Sequence, residues 1–467
     1  MLNIINPTID LFLYDLRNSL SDNEKSIGEK REYFYQKFDE TVQERLKEDG
    51  KDLDQRQKQE VGYIQLLKDI YAPLDPDTPI ENGYYYPVRL GDSYGLLLEV
   101  AEVNGSQEKT PEYFAELKER IQRKLGDNKA TLGQTWMLST YLPNFSEITS
   151  AEIEQIAQES YKAIFPNTNI EEVKFHKKGE FIGATIFEYS DKGFKEEVVK
   201  LGEKENSIFV QNKHVIVAIY PDKESFEILS ELYTDWMSLL YYHHKIIWAY
   251  GQGSVLINKA KEMFSKVYSI TESIEEKVTE GNGKVNRLEE IGSILRKVQV
   301  IMNQYTNNMN NLQFQKVTIQ INLSNYEKRL KTISKKATEK VPGSRTNIDF
   351  LDDFSKLVKD KYLWQIKEDL ESFELGLRLL ENNINAIRSQ TEIERAKVDR
   401  DFKGLISVVA TGVAIAGLTG DNAATECKSI FNDRFFLCQN TFVYNITLVF
   451  FVSLLIWLLR KYILKRS

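Results

Sequence analysis

Residues 442–459 read FVYNITLVFFVSLLIWLL, an apolar run of 18 residues whose polar members are Asn445, Thr447 and Ser453. A helix needs about 20 residues to cross the hydrocarbon core of a bilayer, so this run is close to the required length. An earlier run, 402–419, carries Lys403 as its one charged residue and is rich in glycine and alanine. Such small residues let a membrane helix pack closely against other helices. We therefore predict a transmembrane hairpin with helices over 404–419 and 442–459.

The charges flanking the two runs predict how the hairpin is oriented. Basic residues precede the first run and follow the second: Lys397, Arg400, Lys403, Arg460, Lys461, Lys465 and Arg466. Because basic residues stay on the cytoplasmic side of a membrane, both outer ends are expected to be cytoplasmic. The segment 420–441 is then an extracytoplasmic loop, and 460–467 is a basic cytoplasmic tail. The sequence predicts a multi-pass protein of the inner (plasma) membrane with both termini in the cytoplasm.

Both cysteines of the chain, Cys427 and Cys438, fall in the predicted outer loop. Cytoplasmic proteins keep their thiols reduced, whereas exported segments can form disulfides. The distribution of cysteine therefore agrees with the orientation of the hairpin. A disulfide between Cys427 and Cys438 and a pair of free thiols are both open at this point.

The composition predicts a large soluble region ahead of the hairpin. The chain has 467 residues, enough for two or three domains, and a net charge of −8. This charge disfavours nucleic acid as the main partner, because phosphate backbones are bound by basic surfaces. The first 20 residues include Asp10, Asp15 and Arg17 and lack a long apolar stretch. We therefore predict no signal peptide and a cytoplasmic location for the region before the hairpin.

The sequence patterns of the soluble region indicate both helices and strands. Together with the predicted hairpin, they predict an α+β membrane protein. Residues 1–79 are expected to form a helical segment, because apolar residues between Tyr33 and Leu46 recur at helical spacing and another apolar group surrounds Leu11. Strand patterns begin near Tyr84 and recur up to Tyr220, with helical patterns between them. We predict a cytoplasmic α/β domain over 80–222.

After Pro221, apolar residues recur at alternating steps of three and four, which predicts long, antiparallel, coiled-coil-like helices. Turn signals at Gly281–Gly283 and Pro342-Gly343 divide them into helical hairpins over 223–345 and a stalk helix over 346–403. The middle apolar seam consists of Leu288, Ile291, Leu295, Val298, Met302, Tyr305, Met309, Leu312, Ile319, Leu323, Tyr326, Leu330 and Ile333. Near the end of the stalk, Thr391 and Glu394 stand where hydrophobic residues are expected. They form either a solvated helix face or the lining of a pore.

The end of the first apolar run reads Ile415-Ala416-Gly417-Leu418-Thr419-Gly420-Asp421-Asn422. This stretch resembles the I-A-G-I-Y-G-M-N signature of the CorA family of divalent-cation channels. The order of an α/β domain, long helices, a stalk and two membrane helices is similar to that family as well. The resemblance implies a homopentamer with the first membrane helices around the pore. It also implies that Gly420 and Asn422 bind hydrated Mg²⁺ at the entrance and that Thr411 lines the pore.

The chain departs from the family signature at Thr419 and Asp421. Mg²⁺ keeps its waters tightly and prefers oxygen ligands, and a ring of Asp421 carboxylates would add negative charge at the pore mouth. We predict a channel or transporter for Mg²⁺ or related divalent cations, which are either transported or regulatory, with Gly420, Asp421 and Asn422 as the metal site. The alternative is a pore opened by a small-molecule ligand, such as a nucleotide second messenger in antiviral defence. A third reading is a membrane-anchored coiled-coil scaffold.

Signatures of enzymes are scarce in this sequence. The tandem His243-His244 stands out among four histidines but has no metal-binding spacing around it, so helix packing is the favoured interpretation over metal ligation. Gly251-Gln252-Gly253 lacks the Lys-Ser/Thr of a phosphate-binding loop. We predict that the protein is not an enzyme.

Overall fold

The computed structural model describes residues 3–19, 22–56, 62–75, 82–102, 107–168, 175–190, 194–201, 204–211, 213–279 and 286–394. The chain is α+β, with an N-terminal sheet followed by long helices. It divides into two compact units. Unit 1 contains Met1–Val255 and Leu312–Asp369, and unit 2 contains Leu256–Asn311 and Leu370–Ser467.

A mixed sheet forms the centre of unit 1. The strands are β1 (Ile4–Leu16), β2 (Tyr63–Gln65), β3 (Ala72–Pro73), β4 (Gly83–Leu90), β5 (Ser93–Ala101), β6 (Glu108–Lys109), β7 (Gly133–Tyr141), β8 (Phe175–Phe181), β9 (Ala184–Ser190), β10 (Lys195–Leu201), β11 (Lys204–Val210) and β12 (His214–Tyr220). The main sheet has the order β2-β4-β5-β1-β7-β12-β9-β8, with β3 on β4 and β6 on β1, while β10 and β11 form a separate hairpin. Strands β7 and β12 are parallel, and the remaining pairs of the described strands are antiparallel.

Helices cover both faces of this sheet. They are α1 (Glu24–Tyr35), α2 (Glu40–Arg56), α3 (Tyr113–Leu125), α4 (Ser150–Ile164), α5 (Lys223–Ile228), α6 (Tyr233–Thr279), α7 (Asn286–Lys340), α8 (Asp352–Leu357) and α9 (Trp364–Glu394). On one face, Ile9, Leu11 and Leu13 of β1 pack in the main core with buried residues of α1 to α4. On the other face, the start of α6 lies against β1, where the rings of Phe12 and Tyr233 are 6.2 Å apart.

The prediction of a helical segment over 1–79 is wrong for its first part. Residues Ile4–Leu16 form a central strand, paired with β5 on one side and β7 on the other. A strand that is buried on both faces is apolar at nearly every position, so it lacks the alternation that distinguishes a strand from a short helix. The sheet domain therefore begins at Ile4 and not at residue 80. Helices α1 and α2 occupy much of the remaining predicted segment.

The predicted apolar seam of the long helices is confirmed by burial. In α7, the residues from Leu295 to Ile333 that were assigned to the seam are each at most 8% exposed. Helix α7 continues through Lys316 and ends at Lys340, directly before the predicted break at Pro342-Gly343. Helix α6 ends at Thr279 and α7 begins at Asn286, on either side of the other predicted turn.

The helical backbone of the stalk region begins at Asp349, three residues after the predicted start at residue 346. Asn347 Oδ1 accepts a hydrogen bond of 3.1 Å from the backbone N–H of Asp349, where a short 3₁₀ turn, Asp349–Leu351, leads into α8. A π-helical turn, Val358–Leu363, then connects α8 to α9 without an interruption of helical backbone. The described part of the stalk is thus helical from Asp349 to Glu394.

Among the described residues, no helix is long and apolar enough to cross a membrane. The predicted hairpin over 404–459 and the basic tail over 460–467 lie outside the described residues.

Candidate functional site

The first turns of α6 pack directly on the sheet, and the absence of a side chain at Gly133 makes this close approach possible. Tyr14 donates a hydrogen bond of 2.8 Å from its hydroxyl to the backbone carbonyl of Met237. A Cβ atom on Gly133 would lie 2.4 Å from His244 Nδ1, closer than any side chain permits. Gly133 also has a φ of +140°, which favours glycine. Only glycine therefore fits beneath His244 at the start of β7.

Three of the four histidines meet in this buried layer around one threonine. Thr135 Oγ1 of β7 lies 2.7 Å from His214 Nδ1 of β12 and 2.8 Å from His244 Nε2 of α6. His214 Nε2 lies 3.0 Å from Glu188 Oε1 of β9. Thr135 and His244 are fully buried, and His214 is 1% exposed. We call Thr135, Glu188, His214 and His244 the histidine network.

When each ring carries one proton, the three contacts of the histidine network can be assigned a donor and an acceptor in one way. The Glu188 carboxylate is an acceptor, so His214 Nε2 carries the proton and Nδ1 of the same ring is bare. The Thr135 hydroxyl then donates to His214 Nδ1 and accepts from His244 Nε2–H. His244 Nδ1 is the remaining bare nitrogen, and it has no hydrogen-bond partner among the described residues. The network is a single directed chain from α6 through β7 and β12 to β9.

His243 joins the same layer by ring stacking. Its ring lies 4.4 Å from that of His214 and 4.1 Å from that of Phe354, and its Nε2 is 2.9 Å from Gln211 Oε1. Burial lowers the pKa of His243 and of His244 well below the usual value, and the neighbouring His214 lowers both further. Both rings are therefore neutral at neutral pH. The prediction that His243 and His244 pack inside the protein is confirmed.

An ion pair involves the next residue of α6, Lys245. Lys245 Nζ is 3.0 Å from Asp92 Oδ1 and 2.9 Å from Asp92 Oδ2, and Lys245 is 3% exposed. The Tyr241 hydroxyl donates to Asp92 Oδ1 at 3.0 Å. Burial raises the pKa of Asp92, but the contact with Lys245 outweighs it and lowers the pKa below the usual value. This pair fixes the turn between β4 and β5 to α6.

The arrangement limits the chemistry that these residues can perform. Thr135, His214 and Glu188 stand in the order nucleophile, base and carboxylate that acyl-transfer enzymes use. However, the threonine and the imidazole are buried under α6, so a substrate reaches them only if the helix moves away. Among the described residues, no group of three or more His, Cys, Asp or Glu side chains can hold a metal ion. The network is suited to holding α6 on the sheet and to responding to protons.

The site residues that the sequence predicted lie mostly beyond the described chain. Gly420, Asp421 and Asn422 of the predicted metal site, the pore residue Thr411 and the two cysteines Cys427 and Cys438 lie outside the described residues. Thr391 and Glu394 belong to the last turns of α9. Their assignment to a pore lining stays a prediction.

Sequence reasoning missed the histidine network. Thr135 and His244 are 109 residues apart, and Thr135 and His214 are 79 residues apart. They meet because β12 pairs in parallel with β7, which places His214 opposite Thr135. The available signal was the low histidine count, with two histidines adjacent in a helical pattern and one opening an apolar strand, but no local pattern brings these segments together.

In comparison with known proteins, no family model and no curated protein matches the chain.

Proposed function

We propose that this protein is a subunit of an oligomeric membrane cation channel of CorA-like architecture, gated by its N-terminal region. The order of elements along the chain carries the proposal. A sheet domain is followed by helices of 47, 55 and 31 residues, and the last of these is described as far as Glu394, ten residues before residue 404, where the first membrane helix is predicted to begin. A helix that leads into a membrane segment can transmit a movement of the soluble region to the pore.

In this proposal, Mg²⁺ or a related divalent cation passes through a pore lined by the first membrane helix. Asn422 carbonyl oxygens accept hydrogen bonds from the waters of the ion, and Asp421 concentrates cations at the mouth. Thr411, Thr391 and Glu394 line the path toward the cytoplasm. Five copies around the pore, at the inner membrane, are the assembly that the resemblance implies.

A flux assay on the full chain tests this proposal. The protein is reconstituted into liposomes that contain a Mg²⁺-sensitive dye, and external Mg²⁺ is added. We expect Mg²⁺ entry with the unaltered chain and its loss in Asn422→Ala, because the substitution removes the oxygen that contacts the hydrated ion. Asn432→Ala is the matched control, since it alters another asparagine of the same predicted loop and should leave the flux unchanged.

The outcomes separate the competing functions. Equal flux in Asn422→Ala and Asn432→Ala would show that the entrance is elsewhere. Flux that appears only after addition of a cyclic nucleotide or a related small molecule would identify the ligand-gated pore instead. If no ion flux were measured with or without such ligands, both channel functions would be excluded and the membrane-anchored coiled-coil scaffold would be the remaining alternative.

A further inference from the structure

Two carboxyl groups face each other on the sheet beneath the first turn of α6. Asp10 of β1 pairs directly with Glu99 of β5 in the antiparallel register. The Tyr233 hydroxyl donates to Asp10 Oδ2 at 2.9 Å, and the Tyr84 hydroxyl donates to Glu99 Oε2 at 2.8 Å. Asp10 is fully buried, whereas Glu99 is partly exposed and in contact with solvent. Two like charges at opposite positions of a sheet repel each other, so the pair needs a compensating charge.

Other deeply buried aspartates of unit 1 have such a charge. Asp15 Oδ2 lies 3.1 Å from Lys37 Nζ, and Asp235 accepts from Arg329 at 2.6 Å and from Lys336 at 2.7 Å. Within the described residues, no lysine, arginine or histidine forms an ion pair with Asp10 or Glu99. The groups that face the pair from the neighbouring elements are instead tyrosines: Tyr84 of β4, Tyr220 of β12, Tyr233 of α6 and Tyr71 of the segment between β2 and β3.

The hydrogen-bond donors around the pair are too few for two carboxylates. Each tyrosine hydroxyl has one proton. Tyr84 donates its proton to Glu99 and Tyr233 donates its proton to Asp10, while the Tyr220 hydroxyl forms no hydrogen bond among the described residues. Asp10 Oδ1 is enclosed and has no donor among the described residues. A buried acceptor without a donor costs about 1–3 kcal/mol. A proton held by one carboxyl supplies the missing donor and removes the repulsion at the same time.

We propose that Asp10 and Glu99 form a proton-binding site, in which one proton shared by the two carboxyl groups holds the first turn of α6 against the sheet. The proton resides on Asp10 and is donated to Glu99. It exchanges with solvent through the exposed edge of Glu99. When it leaves, two negative charges lie opposite each other, and the contact of Tyr233 with the sheet weakens. The site gives unit 1 a response to alkaline pH that does not depend on the membrane hairpin.

The electrostatics of the pair support this assignment. Burial raises the pKa of Asp10 well above its usual value, and the charge of Glu99 raises it further. Burial also raises the pKa of Glu99. The folded protein thus binds the proton more tightly than the unfolded chain does. Its stabilising effect is complete below the ordinary carboxyl pKa of about 4 and is lost as the pH rises through the raised pKa of Asp10.

The histidines of the same layer respond to protons with the opposite sign. His243 and His244 have lowered pKa values, so their neutral rings stabilise the fold above a pH of about 6.5, and this effect is lost as the pH falls. A test of the carboxyl pair must therefore compare variants at one pH, because the contribution of the histidines is then the same in both proteins.

Amide hydrogen exchange of the full chain tests the proposal. Asp10→Asn keeps the shape of the protonated carboxyl and removes its charge. We expect the two proteins to exchange equally at pH 5 in peptides covering 8–14 and 233–240. At pH 9, Asp10→Asn should exchange severalfold more slowly than the unaltered chain, because the variant has no second negative charge opposite Glu99. Glu99→Gln provides a second variant with the same expected direction.

Asp235→Asn is the matched control in the same helical turn. It leaves Arg329 and Lys336 without their buried partner, so exchange over 233–240 should become faster at every pH. The proposal would be overturned if the ratio of the amide exchange rate in Asp10→Asn to the rate in the unaltered chain were the same at pH 5 and at pH 9. Faster exchange in both Asp10→Asn and Glu99→Gln at every pH would overturn it as well, because both carboxyls would then be needed in ionised form.

Discussion

At the scale of single residues, Thr135 is the centre of the buried layer beneath α6. Its hydroxyl contacts two imidazole nitrogens, one from a strand and one from a helix. A hydroxyl oxygen both donates and accepts, whereas a methyl group does neither. The Thr135 hydroxyl therefore couples the two rings: it donates to His214 Nδ1, which the contact of His214 Nε2 with Glu188 leaves bare, and accepts from His244 Nε2–H.

Thr135→Val should destabilise the protein through the loss of this bridge. The substitution keeps the branched shape and leaves His214 Nδ1 and His244 Nε2 without partners, each at about 1–3 kcal/mol. We expect the free energy of unfolding, measured by urea denaturation of the full chain, to fall by at least about 2 kcal/mol.

Ser139→Ala is the control on the same strand. Ser139 is fully buried, and its hydroxyl has no hydrogen-bond partner among the described residues. Its removal should change the free energy of unfolding by less than about 1 kcal/mol, because no bond is lost. Equal effects of Thr135→Val and Ser139→Ala would show that the bridge does not stabilise the fold.

At the scale of elements, the long helices were predictable and the first strand was not. The seam of α7 repeats over more than ten turns, so its buried residues could be assigned from spacing alone. Strand β1 offers 13 residues, most of them apolar, and a short apolar run is compatible with a strand or a helix. Its central position follows from pairing with β5 and β7, which no local pattern reports.

Two isoleucines of α7 provide a direct test of the seam. Ile319 is fully buried, whereas Ile321, two positions later, is 55% exposed. Ile319→Ala should lower the free energy of unfolding by about 2–5 kcal/mol through lost contacts and a cavity. Ile321→Ala should change it by no more than about 0.5 kcal/mol. Both are measured by denaturant unfolding, and similar losses in the two variants would contradict the assigned face.

At the scale of the whole molecule, the sequence predicted the order of the parts, while the contacts within unit 1 needed the structure. A sheet domain followed by long helices was expected and is present. The histidine network and the Asp10–Glu99 pair could not be predicted, because each joins segments brought together by the strand order. For Asp10, the sequence offered only a carboxylate within an apolar run, which is equally typical of an exposed helix position.

The topology of the hairpin is a prediction for the full chain. An alkaline phosphatase reporter inserted between Cys427 and Cys438 should be active, because that loop is expected outside the cytoplasm. The same reporter fused after Ser467 should be inactive, and one fused after Glu394 serves as the cytoplasmic control. If the loop fusion and the Ser467 fusion were both active or both inactive, the two positions would lie on the same side of the membrane. This result would exclude the hairpin and the channel that depends on it.

The central position of β1 has a consequence for how the chain is made. Ile4–Leu16 leaves the ribosome before both of its partner strands, which end at Ala101 and Tyr141. At a synthesis rate of about 5–20 residues per second, β7 is completed roughly 6–25 s after β1. During that interval this mostly apolar segment lacks at least one of its two neighbouring strands, so we expect chaperones to bind it in the nascent protein. In strains with reduced chaperone capacity, a larger fraction of this protein should therefore be recovered as aggregate.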